Sequence, residues 1–448
     1  MENTTLTITP IRSALLAGHH NETHVLVRVR AAEANQGEVQ RQPLNLSLVI
    51  DRSGSMAGDP LRQAVRCARF MIDSMHPEDQ ASLVIYDDHV DILVPSSPVG
   101  DRSRFHKALL SFDSRGCTAL FDGWFEGAGQ AAQCADSNAI SRVLLLSDGC
   151  ANSGPSTAED IGPRCAEMAE SGVTTSTYGL GHHFNETLMG EMATSGLGSC
   201  YYGESAEDLM DPFREEFDLL SALCSRHLRL RLKAPRGVDV ELLNGYRRDS
   251  KGRWMLPDLA HGADVWALVK LSLPVKMVKK ARARELLVLD ATLDYTDVHG
   301  AGQQSMSAAL ALPVLDAAGF NAIAEDQTVK ARIQEIESAQ VQDKIREAAL
   351  SQDWDRVDRL LEKARAAARD NPWLEEGIAS LERYARQRQS HTLSKEAYYR
   401  SSKLRSRRVS SLEVLSDYAP MAEQDIPSYL RRKREEGKRM DRKDDNKD

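Results

Sequence analysis

Between residues 43 and 223, short unbroken apolar runs alternate with segments of helical period. Leu44 to Ile50 contains only Asn45 and Ser47 as polar positions, Ala81–Tyr86 and Arg142–Ser147 are similar runs, and Val173–Gly181 is read as a further strand. Such runs suit strands covered on both faces. Between them, Leu61, Val65, Ala68, Ile72 and Met75 recur at spacings of four and three, after an Asp59-Pro60 pair that suits a helix start. Phe105 and Leu109 mark a second helix, Leu120, Trp124 and Ala128 a third, and Ile161, Cys165 and Met168 a fourth. Leu188 with Met192, and Leu209, Phe213, Phe217 and Leu220, mark two more. Val90, Ile92 and Val94 alternate as in an edge strand that closes a hairpin. Strands and helices in this order predict a mainly parallel α/β sheet with right-handed crossovers.

From 226 to 316 the period changes to two. Leu228, Leu230 and Leu232 alternate with Arg229, Arg231 and Lys233, and Val238, Val240 and Leu242 with Asp239 and Glu241. Val265 to Leu273, then Leu289, Ala291, Leu293 and Tyr295, and finally Ser305 to Pro313 continue the set. These strands predict an antiparallel β-sandwich. Residues 1–42 hold two further strands, marked by Leu6 and Ile8 and by Val25, Val27 and Val29. Two strands alone are unstable, so they are assigned to the same sandwich. The expected fold is therefore multi-domain, α/β plus all-β, with unit 43–223 inserted in or followed by the sandwich of 226–316. Residues 320–390 have helical period, with Val329, Ile333 and Ile336 on one face and breaks near Ser351 and Asn371-Pro372. Residues 391–448 are polar and mixed in charge, which predicts a disordered tail.

The first apolar run ends in Asp51-Arg-Ser53-Gly-Ser55, one carboxylate and two hydroxyls at alternate positions, with Gly54 between the hydroxyls to tighten the turn. Ligands of open α/β sheets sit outside the carboxyl ends of the strands. Hard oxygen donors without a soft ligand suit Mg²⁺ or Mn²⁺ better than zinc.

Asp51-x-Ser53-x-Ser55 after a buried strand resembles the metal-ion-dependent adhesion site of von Willebrand factor A domains. Two further segments resemble that family's other metal loops: Gly116-Cys117-Thr118-Ala119-Leu120, and Leu144-Leu-Leu-Ser147-Asp148-Gly149. The resemblance implies a Rossmann-like doubly wound fold over 43–223 and a metal set of Asp51, Ser53, Ser55, Thr118 and Asp148. Mg²⁺ or Mn²⁺ is the implied ion, with Ca²⁺ a third candidate. Cys117 stands where the family often has glycine and is read as a small buried filler. An A domain inserted in a sandwich loop also resembles the integrin hybrid-domain arrangement.

A chain of 448 residues accommodates two or three domains, and 42% hydrophobic with 27% charged residues is ordinary for a globular protein. A net charge of −9 argues against nucleic-acid binding. Seven cysteines, an odd number without Cys-x-x-Cys, point to reduced thiols and a cytoplasmic setting. The amino terminus does not resemble a secretory signal, and no run is long enough to span a bilayer. The chain lacks Gly-x-x-x-x-Gly-Lys, Gly-x-Ser-x-Gly and His-Glu-x-x-His, and the enzyme reading is set aside. His182-His183 is read as a surface loop before a helix opening at Asn185. The expected function is a metal-dependent protein-binding scaffold or adaptor, whose partner presents an exposed Asp or Glu to the ion. Candidate partners are an AAA+ ATPase, which this chain would serve as a non-catalytic subunit, or a signalling kinase or phosphatase. Arg52 and Arg115 are the cations expected to assist by pairing with the partner's acidic groups.

Overall fold

The computed structural model describes residues 4–32, 41–134, 139–180, 184–203, 206–280, 285–298, 302–368, 371–406 and 409–410. The chain starts with strands β1 (Thr5–Pro10), β2 (Leu15–Leu16) and β3 (Asn21–Arg30). The α/β unit follows as β4 (Leu44–Asp51), α1 (Asp59–Ser74), β5 (Gln80–Tyr86), β6 (Val90–Pro98), α2 (Arg102–Leu109), α3 (Leu120–Gln133), β7 (Ile140–Ser147), α4 (Ala158–Glu170), β8 (Val173–Leu180), α5 (Glu186–Ser195), β9 (Leu197–Gly203) and α6 (Ala206–Ser221). Its sheet has the order β6-β5-β4-β7-β8-β9, with β6 antiparallel and every other pairing parallel.

Strand β4 lies in the middle of this sheet, and every residue of it is buried. Its alternate residues Leu44, Leu46, Leu48 and Ile50 face one helical layer, packed with Leu61, Ala68 and Ile72 of α1 and Phe213 of α6. Val49 faces the other layer with Leu120 and Trp124 of α3, Ile161 of α4 and Leu188 of α5. The near-continuous apolar run is thus two alternating stripes, each with its own partners. Gly127 of α3 lies against Val49: a Cβ there would stand 2.2 Å from Val49 Cγ2, so only glycine lets the helix approach the strand this closely.

After α6 come β10 (Leu223–Lys233), β11 (Asp239–Leu242), β12 (Trp254–Met255), β13 (Leu259–Ala260), β14 (Ala263–Leu273), α7 (Val275–Lys280), β15 (Glu285–Asp297) and β16 (Gly302–Leu315). Strand β3 pairs with β14 from Arg30↔Asp264 to Asn21↔Leu273, in a sheet of order β1-β3-β14-β11. A second sheet has the order β12-β10-β15-β16-β2. Val25, Val27 and Val29 meet Val265, Ala267 and Val269 in a core shared with Leu228, Leu230, Leu289 and Leu293 of the second sheet. The intervening β14 residues, Trp266 and Leu268, turn outward onto Val329 and Ile336.

Those two residues belong to the helical part: α8 (Ala317–Asn321), α9 (Gln327–Leu350), α10 (Trp354–Ala367), α11 (Pro372–Arg386) and α12 (Ser390–Ser406). A final pair of residues, β17 (Val409–Ser410), adds to β14. Helix α12 corrects the reading of residues 391–406 as disordered tail. Leu393, Ala397 and Leu404 are buried in the core of the helical part. Ser394, Lys395 and Ser401 are buried as well, so polar residues occupy the packed face and the apolar period is hidden. Residues 407–408 and 411–448 of that tail lie outside the described residues. Strand β9 was also missed, because Leu-Gly-Ser-Cys-Tyr-Tyr-Gly has neither an unbroken apolar run nor clean alternation.

Candidate metal centre

Three loops meet at the carboxyl ends of β4 and β7. The first follows β4. Asp51 is fully buried, and its carboxylate accepts from the Ser147 hydroxyl at 2.6 Å and from the Ser53 N–H at 2.8 Å. Residues Gly54–Met56 form a single 3₁₀ turn that leaves Ser53 buried and Ser55 exposed, with their hydroxyl oxygens 3.2 Å apart. The second loop is stitched to the first, since Gly54 N–H donates to the Gly116 carbonyl at 3.2 Å and Arg115 N–H to the Arg52 carbonyl at 2.8 Å. Its Thr118 is buried.

The third loop follows β7. Asp148 is 6% exposed, and its Oδ1 accepts from the Cys150 N–H at 3.0 Å. Gly149 adopts φ +67, and a Cβ there would come within 2.9 Å of Met189 Cγ. Asn152 joins the third loop to the second: its Oδ1 accepts from Thr118 N–H at 2.7 Å, and its own N–H donates to the Thr118 carbonyl at 3.2 Å. The structure thus brings the loops of Asp51, Ser53, Ser55, Thr118 and Asp148 together at one end of the sheet. Two residues that support this arrangement were not singled out from sequence: Ser147, which holds Asp51, and Asn152, which holds Thr118. The signal for Ser147 was its place directly before Asp148 at a strand end. Asn152 lies in a polar turn with no distinguishing pattern.

Asp51 and Asp148 are both buried, and among the described residues neither forms an ion pair. Burial raises the Asp51 carboxyl from 3.8 to about 6, against the opposing effect of the hydrogen bonds from Ser147 and Ser53; the neighbouring Asp148 charge adds to the rise. A pair of buried carboxylates held by neutral donors needs a compensating cation. The adjacent oxygens of Ser53, Ser55 and Thr118 are hard neutral donors of the type that Mg²⁺, Mn²⁺ or Ca²⁺ takes. The residues present fit such an ion.

Both nearby arginines already have acidic partners within the chain. Arg52 is 6% exposed and is held by Asp87 at 2.9 Å and Asp91 at 2.6 Å. Arg115 is exposed, but its Nε donates to the same Asp87 at 2.7 Å. Burial works to raise the Asp87 carboxyl; hydrogen bonds from Arg115 and the His89 N–H, with the Arg52 charge, outweigh it and leave Asp87 below its usual value. Ligand atoms of Asp87, Asp88 and His89 also lie within 4.8 Å of one another. The arginines neutralise this group, whereas among the described residues Asp51 and Asp148 form no ion pair. Cys117 is exposed, which corrects its reading as a buried filler, because its loop projects outward beyond the buried Thr118. His182 and His183 lie outside the described residues; Asn185 does cap α5, accepting from Leu188 N–H at 3.1 Å.

This fold and loop set define an A-type domain. Residues 45–215 match the von Willebrand factor type A domain, and that segment of the chain is such a domain. Domains of this family typically mediate protein–protein interaction. The chain is 30% identical to protein sll0103 of Synechocystis sp. over 212 residues, 46% of this chain and 49% of that one, so it spans about half the length of that relative. It is 28% identical to human inter-alpha-trypsin inhibitor heavy chain H3 over 186 residues, 39% of this chain and 21% of the relative. Among solved structures, a von Willebrand factor type A protein from Catenulispora acidiphila superposes with a TM-score of 0.66 at 17% identity, over 88% of this chain and 96% of its own. The ArnB paralog VWA2 from Sulfolobus acidocaldarius gives 0.61 at 16% identity, over 92% of this chain and 99% of its own. These two likenesses concern the fold.

Proposed function

We propose that this protein is a metal-dependent, non-catalytic protein-binding scaffold, in which Asp51, Ser53, Ser55, Thr118 and Asp148 form a metal-ion-dependent adhesion site for Mg²⁺, with Mn²⁺ or Ca²⁺ as substitutes. The observation that carries this reading is the pair of buried carboxylates that, among the described residues, form no ion pair, beside hydroxyls at the mouth of the sheet. Asp51 and Asp148 supply the negative charge, directly or through water. Ser53 and Ser55 present their oxygens side by side, and Thr118 is held ready by Asn152. When bound, the dication would supply the positive charge that these residues hold at the mouth of the sheet, to which an exposed Asp or Glu of a partner protein would bind. With only two carboxylates in the set, the centre keeps an affinity for a third.

The unit boundaries belong to the same proposal: an A domain of 43–223 set between 1–42 and 226–316, which together form the sandwich, followed by the helices of 320–390 and, as corrected above, 391–406. An odd number of cysteines, seven, without a Cys-x-x-Cys supports a reducing, cytoplasmic setting. The reading is tested by crosslinking pull-down in Mg²⁺ and in EDTA, followed by calorimetry of the recovered partner. Binding should require the metal and fall sharply in Ser53→Ala/Ser55→Ala. Equal affinity in Mg²⁺, in EDTA and for the double serine variant would refute it.

A further inference from the structure

The third metal loop rests on α5, and α5 in turn is gripped by helices outside the A domain. The Asp148 carbonyl accepts from the Asn185 N–H at 3.0 Å, and Asn185 is the residue that caps α5. Met189, one turn further, is the side chain that a Cβ on Gly149 would strike. The loop and the start of α5 therefore move together or not at all.

The opposite side of α5 meets α9 and α12. The Ser394 hydroxyl donates to Glu186 at 3.0 Å, and Arg346 of α9 hydrogen-bonds the Thr187 hydroxyl. The Tyr398 ring lies against Gly190 so closely that any Cβ at 190 would overlap it. Arg346 stacks on that same ring, 5.0 Å from its centroid, and Lys395 sits 4.6 Å from the centre of Phe184, the residue before the cap. These contacts fall on Glu186, Thr187 and Gly190, roughly the first turn and a half of α5. Leu393 and Ala397, on the other side of α12, are buried in the helical core, so α12 is anchored independently of α5.

The geometry points to Tyr398, Ser394 and Arg346 as positioning residues for the metal centre: the carboxyl-terminal helices fix α5, and α5 fixes the loop that presents Asp148. A site whose ligands are held in place by packed neighbours loses less entropy when the ion binds. This inference rests on the metal reading above for its consequence, though the mechanical link stands on the contacts themselves. It also gives the helical part a role, because whatever displaces α12 would weaken the centre without touching a ligand.

The test uses the full chain and the variants Tyr398→Ala, Tyr398→Phe and Gly190→Ala, the last wedging a methyl group into the same seam from the α5 side. Hydrogen exchange is followed in EDTA, and Mg²⁺ affinity by calorimetry. Tyr398→Ala and Gly190→Ala should speed exchange at the Asn185 and Cys150 amides, both of which donate to Asp148. They should also lower Mg²⁺ affinity by roughly tenfold, a coupling of ordinary size. Tyr398→Phe keeps the ring and should match the parent in both readouts. The inference is overturned if exchange quickens in α12 while the Asn185 and Cys150 amides keep the parent rate, or if Mg²⁺ affinity is unchanged in both seam variants. If the parent itself takes up no Mg²⁺, the proposed function fails, and the exchange data alone decide whether the helices position the loop.

Discussion

Replacing Asp51 by Asn should make the metal-free protein more stable and the metal-loaded protein less so. The folded state binds the Asp51 proton more tightly than the unfolded chain does, since burial moves the carboxyl from 3.8 to about 6. Above pH 6 the ionised group therefore carries its full cost, which declines as the pH falls from about 6 towards 3.8. A factor of about 10² in proton affinity corresponds to about 3 kcal/mol. Asn removes that cost while preserving the local bonds: Oδ1 can accept from Ser53 N–H, and the amide can donate to Ser147 Oγ, whose hydroxyl rotates to suit. Imperfect geometry reduces the gain to about 1–3 kcal/mol at pH 7.5. In Mg²⁺ at about a hundred times its Kd, the parent gains about 2.7 kcal/mol by mass action, and the variant should gain little. Urea unfolding of both proteins in EDTA and in Mg²⁺ gives the four midpoints required. A variant less stable than the parent in EDTA, or one with the parent's full Mg²⁺ increment, would refute the reasoning.

Three other perturbations follow from the same geometry. Gly149→Ala forces a side chain into φ +67 and against Met189, and should cost about 1–3 kcal/mol in chemical denaturation. Arg52→Ala should act on stability instead of partner recognition, costing about 3 kcal/mol because the buried Asp87 is left with Arg115 alone; an unchanged urea midpoint would contradict the ion-pair assignment. Deleting residues 1–32 strips β14 of its neighbour β3 and should raise hydrogen exchange across Asp264–Leu273, while β4 and β7 keep their protection.

The readable parts of the sequence were those where one element satisfies one partner. The stripes of β4 and β7 show as largely apolar runs because helices cover both faces, and Val25, Val27 and Val29 show as alternation because that stripe meets a single core. Asp51 and Asp148 stood out because each closes or follows a largely apolar strand, with Ser53 and Ser55 next along the same turn as Asp51, whereas Thr118 lies between α2 and α3 and was marked only by the family resemblance. Illegible were the contacts formed by distant segments. Asn152 and Ser147 gain their roles only when the loops meet, and Asp87 claims Arg52 and Arg115 across a fold that spacing alone does not give. Helix α12 escaped notice because its buried face includes Ser394, Lys395 and Ser401; the Ser394 hydroxyl finds its partner on α5 and that of Ser401 bonds back to the Tyr398 carbonyl of its own helix.

The central claim is that Asp51, Ser53, Ser55, Thr118 and Asp148 hold a divalent cation. Its most direct test is calorimetric titration of Mg²⁺ into the metal-free parent, into Asp148→Ala and into Ser53→Ala/Ser55→Ala, with folding verified by circular dichroism. The account predicts one saturable site in the parent, no measurable binding in Asp148→Ala and strongly weakened binding in the double serine variant. The same heat and stoichiometry in all three folded proteins would contradict it.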